Sequence, residues 1–145
     1  NKYLENMRMS ICFNEAEFKH WLLPKKGVVY SYVVENEETG EITDFASFYS
    51  IPSTVMNNEK HSKIMACYGY YNVASEKTGW KTLMYNLLIQ AKINGFDVFN
   101  MLDLMNNAEF LEDLKFGAGD GELHYYLYNW KIADIPKEKL GLVML

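Results

Sequence analysis

The chain has 145 residues, 49% of them hydrophobic and 23% charged, the size and balance of one globular domain and not of a disordered or fibrous segment. Its formal net charge of −5 gives no support for nucleic-acid or anionic-membrane binding; it fits a basic partner, but the number by itself reads first as a solvated acidic surface. No apolar run approaches the ~18 residues of a membrane-spanning helix, and no signal peptide is legible.

NKYLENM (1–7) reads as a short helix, and the missing start Met predicts a piece of a longer protein. Asn14 is placed to cap a helix over Phe13–Leu23 that Pro24 stops, with Phe18, Trp21 and Leu22 on one face. Val28–Glu35 (VVYSYVVE) is β-branched and aromatic, which predicts a strand nearly buried on both sides. Asn36–Gly40 carries hairpin-turn chemistry, and Ile42–Ser50 predicts the returning strand, ended by Pro52. After a polar loop over 53–61, Lys63–Val73 predicts a third strand with Gly69 as a candidate bulge.

Trp80–Ile93 has apolar residues at 80, 83, 84, 87, 88 and 91, a helical face that Gly95 terminates. Asp97–Asn100 predicts a short strand, MLDLMNNAEFLEDL one or two helical turns, and KFGAGDG (115–121) a loop. Leu123–Lys131 predicts the last long strand. A turn follows over Asp134–Glu138, and LGLVML (140–145) is apolar to its final residue. A meander followed by a strand–helix–strand unit gives an α/β domain, a mixed sheet flanked by helices. There are no repeats, low-complexity segments or linkers.

Cys12 and Cys67 form no CxxC and no His stands at metal spacing, so they read as two buried thiols of a cytoplasmic protein, with no metal site. His20, His61 and His124 have no nucleophile or metal partner nearby in sequence, and Asp97 and Asp103 flank Asn100 without metal spacing. Three glycines in KFGAGDG suggest a phosphate cradle, but such loops open a helix, whereas this one feeds ELHYYLYNW at strand-like spacing. Asp120, between two glycines, reads either as an Asx-type turn or as an acidic contact to a basic or hydroxyl-bearing ligand. The apolar terminus reads as tucked into the body, its Leu145 carboxylate either reaching solvent or semi-buried to meet a cation or take a proton. Tyr68, Tyr70, Tyr71, Tyr125, Tyr126 and Tyr128 either pack a core or line a groove for an extended ligand.

KFGAGDG stands with GDGELHYYLYNW after it and FDVFNMLDLM before it. FYSIPST (48–54), YYNVAS (70–75), FKHWLLP, the pair VVEN…ITDF and the end LGLVML accompany it. In these motifs, which run over essentially the whole chain, the sequence resembles the C-terminal half of the eukaryotic glycylpeptide N-tetradecanoyltransferase (N-myristoyltransferase) family.

The resemblance implies one of two acetyltransferase-like (GNAT-type) halves. Residues 1–145 would be the peptide-substrate-binding domain, and an absent N-terminal half would bind the acyl donor myristoyl-CoA. This half then binds no cofactor of its own and is inactive alone. The implied partners are that N-terminal half and proteins with an N-terminal Gly, with no nucleic acid and no transmembrane segment. Carried over by position, Ser53, Tyr68, Val98 and Asn100 would line the peptide groove. Asp120, Gly121 and Leu123 would touch the substrate a few residues from its amino terminus, Asp120 favouring Ser or Lys there.

The Leu145 carboxylate would be the general base that takes a proton from the substrate's glycine ammonium. In water that transfer is uphill by about 6 kcal/mol, from pKa values near 3.5 and 8; burying both charges against LGLVML narrows the gap. Any side chain on the first substrate residue would clash where amine, carboxylate and thioester converge. The alternative is a stand-alone, non-catalytic peptide-binding module with the same fold. A free-standing acetyltransferase-like enzyme lacks support, because no Q/RxxGxG/A pyrophosphate loop is present.

Overall fold

The computed structural model describes residues 1–56 and 60–144. The expected first helix is only a 3-10 turn, Leu4–Asn6, with no side-chain cap. It leads to β1, Met9–Ser10. Helix α1, Glu15–Leu22, starts on a complete capping box. Glu17 N–H donates to Asn14 Oδ1 and Asn14 N–H donates to Glu17 Oε2, each at 2.9 Å. Of its expected apolar face only Leu22 is buried, while Phe18 and Trp21 are exposed.

Strands β2 (Val29–Glu35), β3 (Ile42–Thr54), β4 (Lys63–Val73) and β5 (Val98–Asn100) form one sheet in the order β2-β3-β4-β5. The β2–β3 hairpin closes as the turn chemistry predicts, with Gly40 at φ +69° and its N–H donating to Asn36 O at 2.8 Å. β2 is an edge strand with Val33 and Val34 exposed, not a strand buried on both sides. β3 continues through Pro52. Its pairing with β2 ends at Val29–Tyr49, so one edge of β3 is free at Pro52 and the missing N–H costs no ladder bond. β4 and β5 are parallel, and α2, Trp80–Ile93, makes the crossover that parallel neighbours require.

The back of the sheet is covered by α2, whose Leu83, Met84 and Leu87 pack on Phe48, Cys67 and Phe96. The stretch before α2 is held by a buried carboxylate. Asp44, 1% exposed, accepts from Ser75 N–H at 2.6 Å, Thr43 Oγ1 at 2.6 Å and Thr78 Oγ1 at 2.9 Å. A short helix α3, Ala108–Leu111, adds Phe110 to this core. Burial pushes the Cys67 thiol up to about 12, so it is an inert packing group. Cys12 is exposed, against the expectation of two buried thiols.

A second core covers one end of the front, where Leu4, Phe13, Leu22, Tyr70, Tyr71, Leu104, Leu140 and Val143 meet. It includes β6, Leu140–Gly141, which pairs in parallel with β1. Gly141 is required there, since an added Cβ would lie 2.7 Å from Met7 Cγ and 3.1 Å from Leu4 Cδ2.

The expected last long strand over 123–131 is not one. The backbone forms no ladder with any described strand. Tyr126, Tyr128 and Trp130 are 86%, 96% and 77% exposed. Strand propensity is realised only against a partner edge, and none is paired with it.

Candidate functional site

The register assigns faces. On β3, Phe48 points back into the α2 core, so Tyr49, Ile51 and Ser53 point forward. Their partners on β4 are Tyr68, Ala66 and Ile64, and β5 sets Val98 beside Ala66 and Asn100 beside Tyr68. The four strand residues singled out from the sequence, Ser53, Tyr68, Val98 and Asn100, thus lie on one face. This face is open where the front core ends: Ile51, Ile64 and Val98 are exposed apolar groups and Ser53 is exposed beside them.

Where the front core begins, Tyr49 stacks on Tyr68 with centroids 5.8 Å apart and planes at 21°. Burial raises the Tyr49 pKa, and the nearby Tyr68 and Tyr125 raise it further. The floor is apolar, its polar groups are neutral hydroxyls and amides, and its length follows the strands. Such a surface suits an extended chain and offers nothing to a phosphate.

Gly69 does sit at a bulge. Between Ala46–Asn72 and Phe48–Gly69 the register slips by one residue, so Tyr70 and Tyr71 both oppose Ser47 and both enter the front core. Ser47 stitches the irregularity: its N–H donates to Asn72 Oδ1 at 3.0 Å and its hydroxyl donates to Tyr71 O at 2.8 Å. Behind the bulge an added Cβ on Gly69 would collide with the Met101 methyl.

The KFGAGDG loop runs from the back of the sheet toward the front core. Lys115, at φ +63°, ends the helical stretch. Phe116 lies edge-on to Phe99 at 6.1 Å, on the back of the sheet. Tyr125, past the loop, packs into the front core. Asp120, Gly121 and Leu123 therefore lie on the back-to-front crossing, exposed, and no described contact joins them to Ser53 or Val98. No hydrogen bond holds the Asp120 carboxylate among the described residues, so no Asx-type bond is present. A Cβ added at Gly117, Gly119 or Gly121 would meet nothing within 4 Å, and none of the three has positive φ. Nothing within the described chain requires glycine at these positions.

In the front core against which Tyr49 packs, residues 140–143 are fixed. Val143 N–H donates to Tyr71 Oη at 3.1 Å, and Tyr125 Oη donates to Leu142 O at 3.0 Å. Leu145 lies outside the described residues. The sequence reading missed Tyr49, Ile51, Ile64 and the buried pair Ser47 and Asn72. Strand alternation from Ser53 back to Tyr49 is the signal that finds the first two. Among the described residues no cluster of three or more His, Cys, Asp or Glu could hold a metal, and no helix is long and apolar enough to cross a membrane.

Residues 1–142 match the family model for the Myristoyl-CoA:protein N-myristoyltransferase, C-terminal domain. The chain belongs to the N-myristoyltransferase family. It is 50% identical over 144 residues to Glycylpeptide N-tetradecanoyltransferase 1 of Arabidopsis thaliana, covering 99% of this chain and 33% of that protein. Its fold superposes on Saccharomyces cerevisiae N-myristoyltransferase with bound myristoyl-CoA at a TM-score of 0.88 and 33% identity, covering 99% of this chain and 40% of that one. A Trypanosoma brucei acetyltransferase shares the fold at a TM-score of 0.55 and 16% identity, over 77% of this chain and 75% of that one. The domain is thus α/β with an acetyltransferase-like (GNAT-type) fold. It spans about a third of the length of the N-myristoyltransferases it matches.

Proposed function

We propose that this domain is the peptide-binding, base-supplying part of a cytoplasmic N-myristoyltransferase that moves myristate from myristoyl-CoA to the N-terminal glycine of proteins. Ser53, Tyr68, Val98 and Asn100 hold the substrate backbone along the open front face. Asp120, Gly121 and Leu123, on the KFGAGDG loop and just after it, meet the substrate a few residues from its amino terminus. The Leu145 carboxylate takes a proton from the glycine ammonium, leaving the amine lone pair free. That nitrogen then forms the amide bond as the C–S bond of the thioester breaks; the proton it sheds goes to the departing sulfur, which leaves as the free thiol. The acyl donor belongs to the other part of the enzyme, and this domain binds no cofactor.

The observation that carries this reading is the shared face of Ser53, Tyr68, Val98 and Asn100, which leads from open apolar floor to the tyrosines that anchor Leu142 and Val143. The glycine loop supports it, since its unfilled Cβ positions leave room for a backbone from outside the chain.

The test is a mass-spectrometric acyl-transfer assay with this chain, myristoyl-CoA and an N-terminal-Gly peptide, with and without a separately made N-terminal half. Product only from the mixture is expected. Product from this chain alone would mean it holds an acyl-CoA site. Peptide binding without product from a mixture whose N-terminal half binds myristoyl-CoA would favour a non-catalytic module.

A further inference from the structure

The run Leu123–Lys131 has the composition of a strand and none of a strand's bonds. Among the described residues, no backbone N–H or C=O of this run has a hydrogen-bond partner, and the run joins neither sheet. Tyr125 ties it down, through its ring in the front core and its hydroxyl on Leu142 O. Beside that tether the run stands off the body over a hollow of about 500 Å³ lined by Leu104, Leu123, Leu127 and Leu140. Outward, Tyr126, Tyr128 and Trp130 are exposed at alternate positions. Three such rings carry roughly 450–750 Å² of surface, the scale that marks an interaction site on a folded domain. Tyr125–Trp130 holds no charged residue, and uncharged surface rich in Tyr and Trp has the composition of an interface core and not of a solvated loop.

We propose that Leu123–Lys131 is a docking strand, which adds to a sheet edge in the part of the N-myristoyltransferase outside this domain and forms its backbone bonds there. The inference rests on the reading above, in which another part of the same enzyme supplies the acyl donor. Size argues for that occupant over a second copy of this chain. The chain covers 33% of the Arabidopsis relative and 40% of the Saccharomyces one, so each carries more chain outside the matched part than inside it. Position argues the same way. The run starts at Leu123, which the reading places on the peptide, so an interface along it is continuous with the groove. It brings the two parts together where peptide and acyl donor must meet. An added strand binds by main-chain bonds to an edge and by alternate side chains set into pockets. Unbonded backbone and outward Tyr126, Tyr128 and Trp130 offer both.

Hydrogen–deuterium exchange over residues 124–131 is compared between this chain and the complete enzyme that carries it. The amides should exchange freely in this chain and about a hundredfold more slowly in the complete enzyme. Tyr126→Ser combined with Tyr128→Ser should leave the melting temperature of this chain unchanged, because both rings are exposed in it. In the complete enzyme the same pair should restore fast exchange over the run. Tyr85→Ser, exposed on α2, is the control and should alter neither. Equally fast exchange in both proteins overturns the docking strand. Protection that arises in this chain alone as its concentration rises assigns the run to a second copy and also overturns it. Protection in the complete enzyme that survives the double substitution overturns the part given to the rings. Exchange needs no catalysis, so an enzyme that transfers no myristate sinks the reading of the reaction while the strand is still judged by its own amides.

Discussion

Ser47 and Tyr71 exchange two hydrogen bonds across the β4 bulge: the Ser47 hydroxyl donates to Tyr71 O at 2.8 Å and accepts from Tyr71 N–H at 3.1 Å. One hydroxyl thus satisfies both backbone groups that the slipped register would leave unpaired in a buried place. Ser47→Ala strands them together. We expect a loss of about 2–4 kcal/mol, since each unsatisfied buried group costs roughly 1–3. Urea unfolding measures it, and a loss below about 0.5 kcal/mol would show that water replaces the hydroxyl.

Asp44 sets an acid limit on stability. Burial raises its pKa, but hydrogen bonds from Thr43, the Ser75 N–H and Thr78 outweigh that, and the carboxyl is held below its ordinary value. A carboxyl depressed in the folded state contributes stability above its unfolded pKa of about 3.9, and loses it as pH falls through the folded value. Asp44→Asn should therefore destabilise the domain at pH 7 and show a smaller stability loss than the parent between pH 4 and 2. Denaturation midpoints across that range decide it; parallel curves would remove Asp44 from the acid response.

Two glycines make opposite predictions. Gly141→Ala drives a Cβ against the stem of Met7 and into Leu4, and should cost about 1–3 kcal/mol by overpacking. Gly119→Ala meets nothing, so stability should stay within about 0.5 kcal/mol, while affinity for an N-terminal-Gly peptide falls several-fold. Calorimetric titration with the peptide checks the second half. Unchanged affinity would place the loop away from the peptide.

The charge of Asp120 should matter selectively. Asp120→Asn should weaken peptides carrying Lys near the amino terminus more than neutral peptides, by roughly the worth of an exposed ion pair, 0.2–1 kcal/mol. Equal losses for both peptide classes would leave Asp120 a purely conformational role in the loop.

Adding residues beyond Leu145 in the complete enzyme converts its carboxylate to an amide. Turnover should then vanish while peptide binding persists. Normal turnover from the extended enzyme would take Leu145 out of the mechanism.

Much of this was readable from local sequence. Asn36–Gly40 specifies its hairpin by turn chemistry, and α2 buries the face that its spacing assigns. Asn14 caps α1 through the Glu17 three residues on. What was not legible depends on distant partners. Pro52 signals a strand end, and only the absence of β2 beside it lets β3 continue. The aromatic run 123–131 has every local mark of a strand and pairs with no described strand. Of the site, the positions drawn from the family resemblance converge on one face where they lie on strands. The loop residues stay apart, and Tyr71's hold on Val143 spans 72 residues, beyond the reach of any local pattern.

The pairing of Met9–Ser10 with Leu140–Gly141 also fixes an order of assembly. Closing so long a loop is an entropic cost met only after the intervening sheet has formed. Chains emerge amino end first, so Met9–Ser10 must wait, unpartnered, for Leu140–Gly141, which is made much later. A nascent chain that has not yet reached Leu140 can carry a finished sheet and a finished back core while its front core stays unsealed.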